Sequence, residues 1–217
     1  MPFSDRYKIL KRQIRRLRRD LLPGRFNAGG RYSREEITKT IAYRVLVHAE
    51  IEAYLEDRAW GIVLKAKRAW EEKSTLSKTV LTLIAFSGRL MEKPPNTMHP
   101  EQLSQAGQWE ERVKVSKKID IAVNDFYRVV EGNHGIKEEN VVNLLLPIGV
   151  ECDELDSVLV ADLNSYGESR GLVAHKAFQT YSVTQQIDPK EEMKKVNSLI
   201  DNLASIDVIF EKLLIGL

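Results

Sequence analysis

Residues 33–60 read SREEITKTIAYRVLVHAEIEAYLEDRAW. A serine followed three positions later by a glutamate is a capping box, so a helix opens here with Ser33 as its cap and Glu36 reaching back to it. Ile37, Ile41, Val45, Leu46, Ile51 and Leu55 then return at helical intervals. No proline follows before Pro94, and the helix is predicted to run to about Trp70 or beyond, with Gly61 its weakest point. Within it, His48, Glu52 and Glu56 fall on one face at successive i+4 steps. Three readings of that row compete: a metal site, which lacks a second histidine; a solvated acidic stripe; or a supporting or interface role for His48 and Glu52.

Upstream, residues 5–20 carry eight Lys or Arg against two Asp. Tyr7, Leu10, Ile14, Leu17 and Leu21 recur at steps of three and four, which makes this an amphipathic basic helix. Its cations read as the solvated face of a packed helix, as an arm that tracks nucleic-acid phosphates, or as a surface for a partner or membrane. Aromatic residues for base stacking are nearly absent, so nucleic-acid contact through Arg12, Arg15, Arg16, Arg18 and Arg19 would be with backbone and sensitive to salt. Pro23-Gly24 stops the helix and Asn27 to Gly30 forms a hinge. The chain thus divides into a basic N-terminal helix with its loop, residues 1–32, and a helical domain, residues 33–217.

Downstream, apolar residues keep the helical period through 74–86, 101–130, 138–146 and 153–166, with a proline-containing loop at 88–100. Gly132-Asn133 stops one helix with residues that tolerate the left-handed conformation. Asp188-Pro189-Lys190-Glu191 supplies a cap and a first-turn proline for a terminal helix. Sustained alternation is missing throughout, so the expected fold is all-α. Cys152 is the single cysteine, which excludes an internal disulfide, suits a reducing cytosol and reads as a buried structural thiol. No apolar run approaches the roughly 18–20 residues that span a bilayer. The N-terminus is too densely charged for a secretory signal. A cytoplasmic protein without a membrane partner is expected.

The chemistry concentrates in Glu168-Ser169-Arg170-Gly171-Leu172-Val173-Ala174-His175-Lys176. An imidazole moves protons near neutral pH, and a guanidinium holds phosphate oxygens through a planar fork that keeps its charge. At about 100° per residue, a step of five leaves Arg170 and His175 about 140° apart on an unbroken helix. A bend or a new start is therefore expected, with Gly167 and Gly171 as relaxations and Ser169 capping a helix that begins at Arg170.

Arginine, four intervening residues and histidine resemble the signature of the HEPN superfamily. Three further segments resemble its RiboL-PSP branch: Leu46 to Glu52; Asn133 to Asn140 with Leu144 to Gly149; and Asp162 to Gly167 running into Arg170-Gly171. The likeness covers roughly residues 35–182. It implies a HEPN-like helical bundle and a metal-independent endoribonuclease, commonly a toxin or antiviral effector, that needs no cofactor and acts on RNA as a homodimer. Two motif helices would face each other and build one composite cleft, with an antitoxin or defence-system protein as a possible partner. His175 is then the proton-transfer residue and Arg170 the phosphate clamp. Lys176 is an auxiliary cation, with Ser169, His48 and Glu52 in support. The product would end in a 2′,3′-cyclic phosphate. Gly171 stands where many active relatives have a polar residue, and the alternative is a non-catalytic module that binds RNA or nucleotide, or assembles a larger complex.

Overall fold

The computed structural model describes residues 3–88, 114–175 and 187–217, the side chains of 172–175 excepted. These residues form seven α-helices and two 3-10 turns. The helices are α1 (Asp5–Leu21), α2 (Arg34–Lys73), α3 (Lys78–Phe86), α4 (Val115–Glu131), α5 (Glu138–Leu145), α6 (Ser157–His175) and α7 (Pro189–Leu213). No strand occurs among the described residues, as the periodicity predicts.

The central element is α2, whose 40 residues extend roughly 60 Å at about 1.5 Å each. Its cap forms as read: Ser33 N–H donates to Glu36 Oε2 at 2.7 Å, and Glu36 N–H to Ser33 Oγ at 3.2 Å. The helix passes through Gly61 unbroken and ends at Ser74, whose φ of 52° is left-handed. A helix this long has to be covered along its length, and all six other helices among the described residues pack on it directly.

On one side lies α1. Its Tyr7, Leu10 and Ile14 are buried in the same apolar cluster as Tyr54 of α2 and Leu203 and Phe210 of α7. Residues 1–32, set apart in the sequence by their charge and hinge loop, thus contribute a helix to the core they share with 33–217. On the other flank, Trp60 meets Tyr127 of α4 with ring centroids 5.1 Å apart, and Lys67 Nζ lies 2.8 Å from Asp120 of α4.

Several boundaries differ from expectation. The third helix begins at Lys78, capped by Ser77 rather than opening at Ser74. The segment 101–113, predicted helical, and the loop 89–100 lie outside the described residues. Gly132 has φ −84° and is not left-handed; a Cβ there would meet Arg128 O at 3.1 Å, a crowding that favours glycine. Cys152, expected to be buried, is exposed. It starts a 3-10 turn, Cys152–Glu154, in a surface crossing between α5 and α6.

Two buried carboxylates tie α7 to α2. Asp207 has no exposed surface; it accepts from Ser4 N–H at 2.8 Å, Ser4 Oγ at 2.6 Å and Tyr54 Oη at 2.8 Å, with Arg58 Nε at 3.5 Å. Ser4 is also the cap of α1, receiving Tyr7 N–H, so one carboxylate joins α1, α2 and α7. Burial, followed by the Asp207 charge, holds the Tyr54 hydroxyl protonated well above the ordinary phenol range. Glu192 is the second carboxylate, gripped by both arms of the Arg44 guanidinium fork, with Nε to Oε1 at 2.8 Å. Asp207→Ala is expected to cost roughly 3–5 kcal/mol in urea unfolding, because it strands the buried Tyr54 hydroxyl and two partly buried Ser4 donors and weakens a buried charge pair. Tyr54→Phe, which removes one donor and keeps the ring, should cost about 1 kcal/mol.

Candidate functional site

The motif helix does not restart at Ser169. α6 runs continuously from Ser157 to His175, and Ser169 Oγ donates to the Ser165 carbonyl at 2.9 Å inside the helix instead of capping one. Gly167 answers a packing demand and does not mark a break: a Cβ there would lie 3.0 Å from Lys137 Cγ and 3.4 Å from Lys137 N. Around Gly171 a Cβ would meet nothing within 4 Å. Arg170 and His175 are therefore separated by about 140° around one helix. His175 is its last residue, its side chain outside the described set together with Lys176.

The charge of Arg170 reaches two members of the α2 row, His48 and Glu52. His48, 2 % exposed, is held as the neutral imidazole, its pKa lowered to about 4 first by burial and then by the Arg170 guanidinium. Its Nδ1 lies 3.4 Å from Glu52 Oε2 without hydrogen-bond geometry. A neutral imidazole beside a carboxylate is not an ion pair, whatever the distance. Glu52 is pushed above the usual carboxylate range, chiefly by burial and then by Glu56, while Arg170 and His134 act in the opposite direction. One turn further on, Glu56 is occupied: its Oε1 accepts from Asn133 Nδ2 at 2.7 Å.

That last hydrogen bond fixes a loop. Asn133 Nδ2 also donates to Gly135 O at 3.1 Å, and Asn133 Oδ1 accepts from Asn140 Nδ2 at 3.0 Å. Gly135 is needed there, since a Cβ would stand 3.0 Å from Asn140 Oδ1. Gly135 and Ile136 are buried, and Lys137 rests against Gly167 of α6. The loop is wedged between Glu56 of α2 and Gly167 of α6, and it leaves His134 exposed. From the sequence, His134 was given no role, although it lies within the Asn133 to Asn140 segment that carries part of the resemblance. Among the described residues, no group of three His, Cys, Asp or Glu is placed to hold a metal ion.

The remaining candidates lie elsewhere. Ser169 lines a cavity of about 370 Å³ between α6 and α7, with Ser165, Ser198 and Lys195. Arg12, Arg15, Arg16, Arg18 and Arg19 are all exposed. Arg16 and Arg19 approach Asp20 at 3.7 and 3.1 Å. Arg12 and Arg15 have no carboxylate within ion-pair distance among the described residues. With Lys8 and Arg19 they form a stripe at spacings of four, three and four along the outer side of α1. α1 meets α2 through Tyr54 and Asp57; at about 100° per residue that side lies roughly opposite the His48, Glu52 and Glu56 row. Within one chain, the basic stripe and the Arg170 cluster stand on opposite sides of the central helix.

Fold and site together define an all-helical protein in which a partly buried arginine acts electrostatically on a buried histidine and a half-buried carboxylate. The chain matches no family model, no curated protein and no solved structure. No helix among the described residues is long and apolar enough to cross a membrane.

The His48 environment has a pH signature. Its folded pKa, about 4, lies below the ordinary 6.5, so on acidification the unfolded chain takes up the proton first. Stability is complete above 6.5 and is lost as pH falls towards 4. His48→Gln removes this titration. The melting-temperature advantage of wild type over His48→Gln at pH 7.5 should shrink steadily down to pH 4.5 in thermal denaturation.

Proposed function

We propose that the chain is a metal-independent endoribonuclease of the HEPN type, working as a homodimer in a toxin or antiviral role. The observation that carries this reading is the Arg170 guanidinium, whose charge acts on both Glu52 and neutral His48 where α6 packs on α2. It presents a permanent cation beside a carboxylate that is itself half-buried, where charge on a phosphate in transition is worth more than in bulk water.

In the cleavage step the ribose 2′-hydroxyl loses its proton to a base as its oxygen bonds to phosphorus. The bond from phosphorus to the 5′-oxygen breaks, and an acid supplies that oxygen with a proton. Arg170 neutralises the equatorial phosphate oxygens. In the composite cleft of the homodimer, His175 takes the 2′-hydroxyl proton, and Lys176 adds a cation. His48, buried and neutral, moves no proton. The basic stripe on α1 is a tether for RNA phosphates beyond the scissile one, since it lies across α2 from Arg170.

A second reading is a non-catalytic module that binds RNA or nucleotide. It is favoured by Gly171, which offers no side chain next to the motif arginine although the space around it is open.

Purified protein incubated with total RNA and a chelator should yield fragments ending in 2′,3′-cyclic phosphate. Arg170→Ala should slow cleavage by roughly 10²–10³-fold, and His175→Ala by roughly 10²–10⁴-fold, with folding and dimerisation unchanged in size-exclusion chromatography. Full activity in both variants would overturn the reading, and binding without cleavage by wild type would favour the module. For the tether, Arg12→Glu with Arg15→Glu should raise KM and leave kcat unchanged. The salt slope of single-strand binding should flatten by about 0.7 for each phosphate that the variant no longer neutralises.

A further inference from the structure

We propose that the cavity between α6 and α7 binds a sugar phosphate, free or carried by a nucleotide strand. The site goes beyond the ribonuclease reading, which makes no use of it. Its volume is about 370 Å³, inside the range of about 300–1,000 Å³ that small-molecule sites occupy. Tyr166, Leu199 and the Arg44–Glu192 pair are its buried lining.

Two short rows meet across it. α6 contributes Asp162 and Ser165, three positions apart and so on one side of the helix, and α7 contributes Lys195 and Ser198 at the same spacing. The side chains of these four make no hydrogen bond or ion pair with any described residue. Their charged neighbours do. Arg44 grips Glu192, and Lys194, which also lines the cavity, lies 2.8 Å from Glu191 Oε1. The charge left for a ligand is one ammonium on the α7 wall and one carboxylate on the α6 wall, each with a hydroxyl one turn away.

That pattern selects the ligand. A bare anion would satisfy Lys195 and meet like charge at Asp162, and a bare cation would do the reverse. An apolar molecule would take water from both charges and give no hydrogen bond in return. A sugar phosphate meets all four groups. Its phosphate oxygens accept from Lys195 and Ser198. Its hydroxyls donate to the Asp162 carboxylate, which can only accept when ionised, and exchange hydrogen bonds with Ser165. Its carbon skeleton rests on Leu199.

The test titrates the full chain with ribose-5-phosphate in a calorimeter, with inorganic phosphate and the zwitterion β-alanine for comparison. Wild type should bind ribose-5-phosphate saturably and more tightly than either. Lys195→Glu should weaken that binding roughly 10–100-fold. Asp162→Ala should weaken it roughly tenfold and leave inorganic phosphate bound at least as well, so that the preference for the sugar disappears. Both residues are at least partly exposed, and the two variants are expected to melt close to wild type without ligand. Absence of saturable binding, tighter binding of inorganic phosphate or β-alanine by wild type, or wild-type affinity in both variants overturns the proposal. The source is read by competition in Arg170→Ala protein. Displacement by a single-stranded oligoribonucleotide assigns the sugar phosphate to RNA, and displacement by free adenosine monophosphate alone assigns it to a small metabolite; either upholds the site. Binding is measured without cleavage, so failure here leaves the ribonuclease reading standing, and an inactive wild type leaves this site standing.

Discussion

The pair of Arg44 and Glu192 sets the register on which the site depends. Both side chains are almost fully buried, and the guanidinium fork meets both carboxylate oxygens. The carbonyl of the same Arg44 accepts the Tyr166 hydroxyl at 3.3 Å, so α2, α6 and α7 meet around one residue. His48 is one turn beyond Arg44 on α2, and Arg170 is one turn beyond Tyr166 on α6. Whatever fixes Arg44 against Tyr166 therefore fixes Arg170 against His48. A buried ion pair adds little net stability compared with a well-packed apolar pair, but a slip of either helix would strand a charge at a cost of several kcal/mol. In this position it acts on specificity of alignment more than on stability.

The chemistry one turn away follows from the same burial. The core around α2 drives His48 to its neutral form and raises Glu52 above the usual carboxylate range, which separates two groups that look alike as members of an acidic row. Glu56, the third of the row, is engaged by Asn133. Three residues at identical spacing thus have three roles: a neutral buried imidazole, a carboxylate facing a cation, and an anchor for the 132–137 loop. Environment, not residue type, divides the work.

The central helix also partitions the molecule. Its length gives it separate sides for α1 and for the α6 cluster, and the α1 cations face away from both. Charge on α1 serves two ends: the inner edge is paired, as with Arg6 and Asp57 at 2.8 Å, while Arg12 and Arg15 point outward. A polyanion that touched both the stripe and Arg170 in one chain would have to cross α2.

Much of this was legible in local sequence, because caps, periods and stops act over a few residues. The Ser33 capping box, the unbroken α2, the Asp188 cap with Pro189 and the amphipathic α1 all follow from interactions within one or two turns. The motif helix was less legible. Gly167 reads as a relaxation in the sequence, yet its lack of a side chain answers the approach of Lys137, thirty residues away in the chain. Cys152 looked like a core thiol by residue type, and only the path between α5 and α6 put it in solvent. The electrostatic coupling of Arg170 with His48 and Glu52, and of His134 with Glu52, joins residues more than eighty positions apart. Sequence determined which helices form and which faces are apolar, because those are local free energies. Which polar faces meet was decided by packing around Arg44, Glu192 and Asp207, since electrostatic contact between distant segments exists only once the core has set their distance.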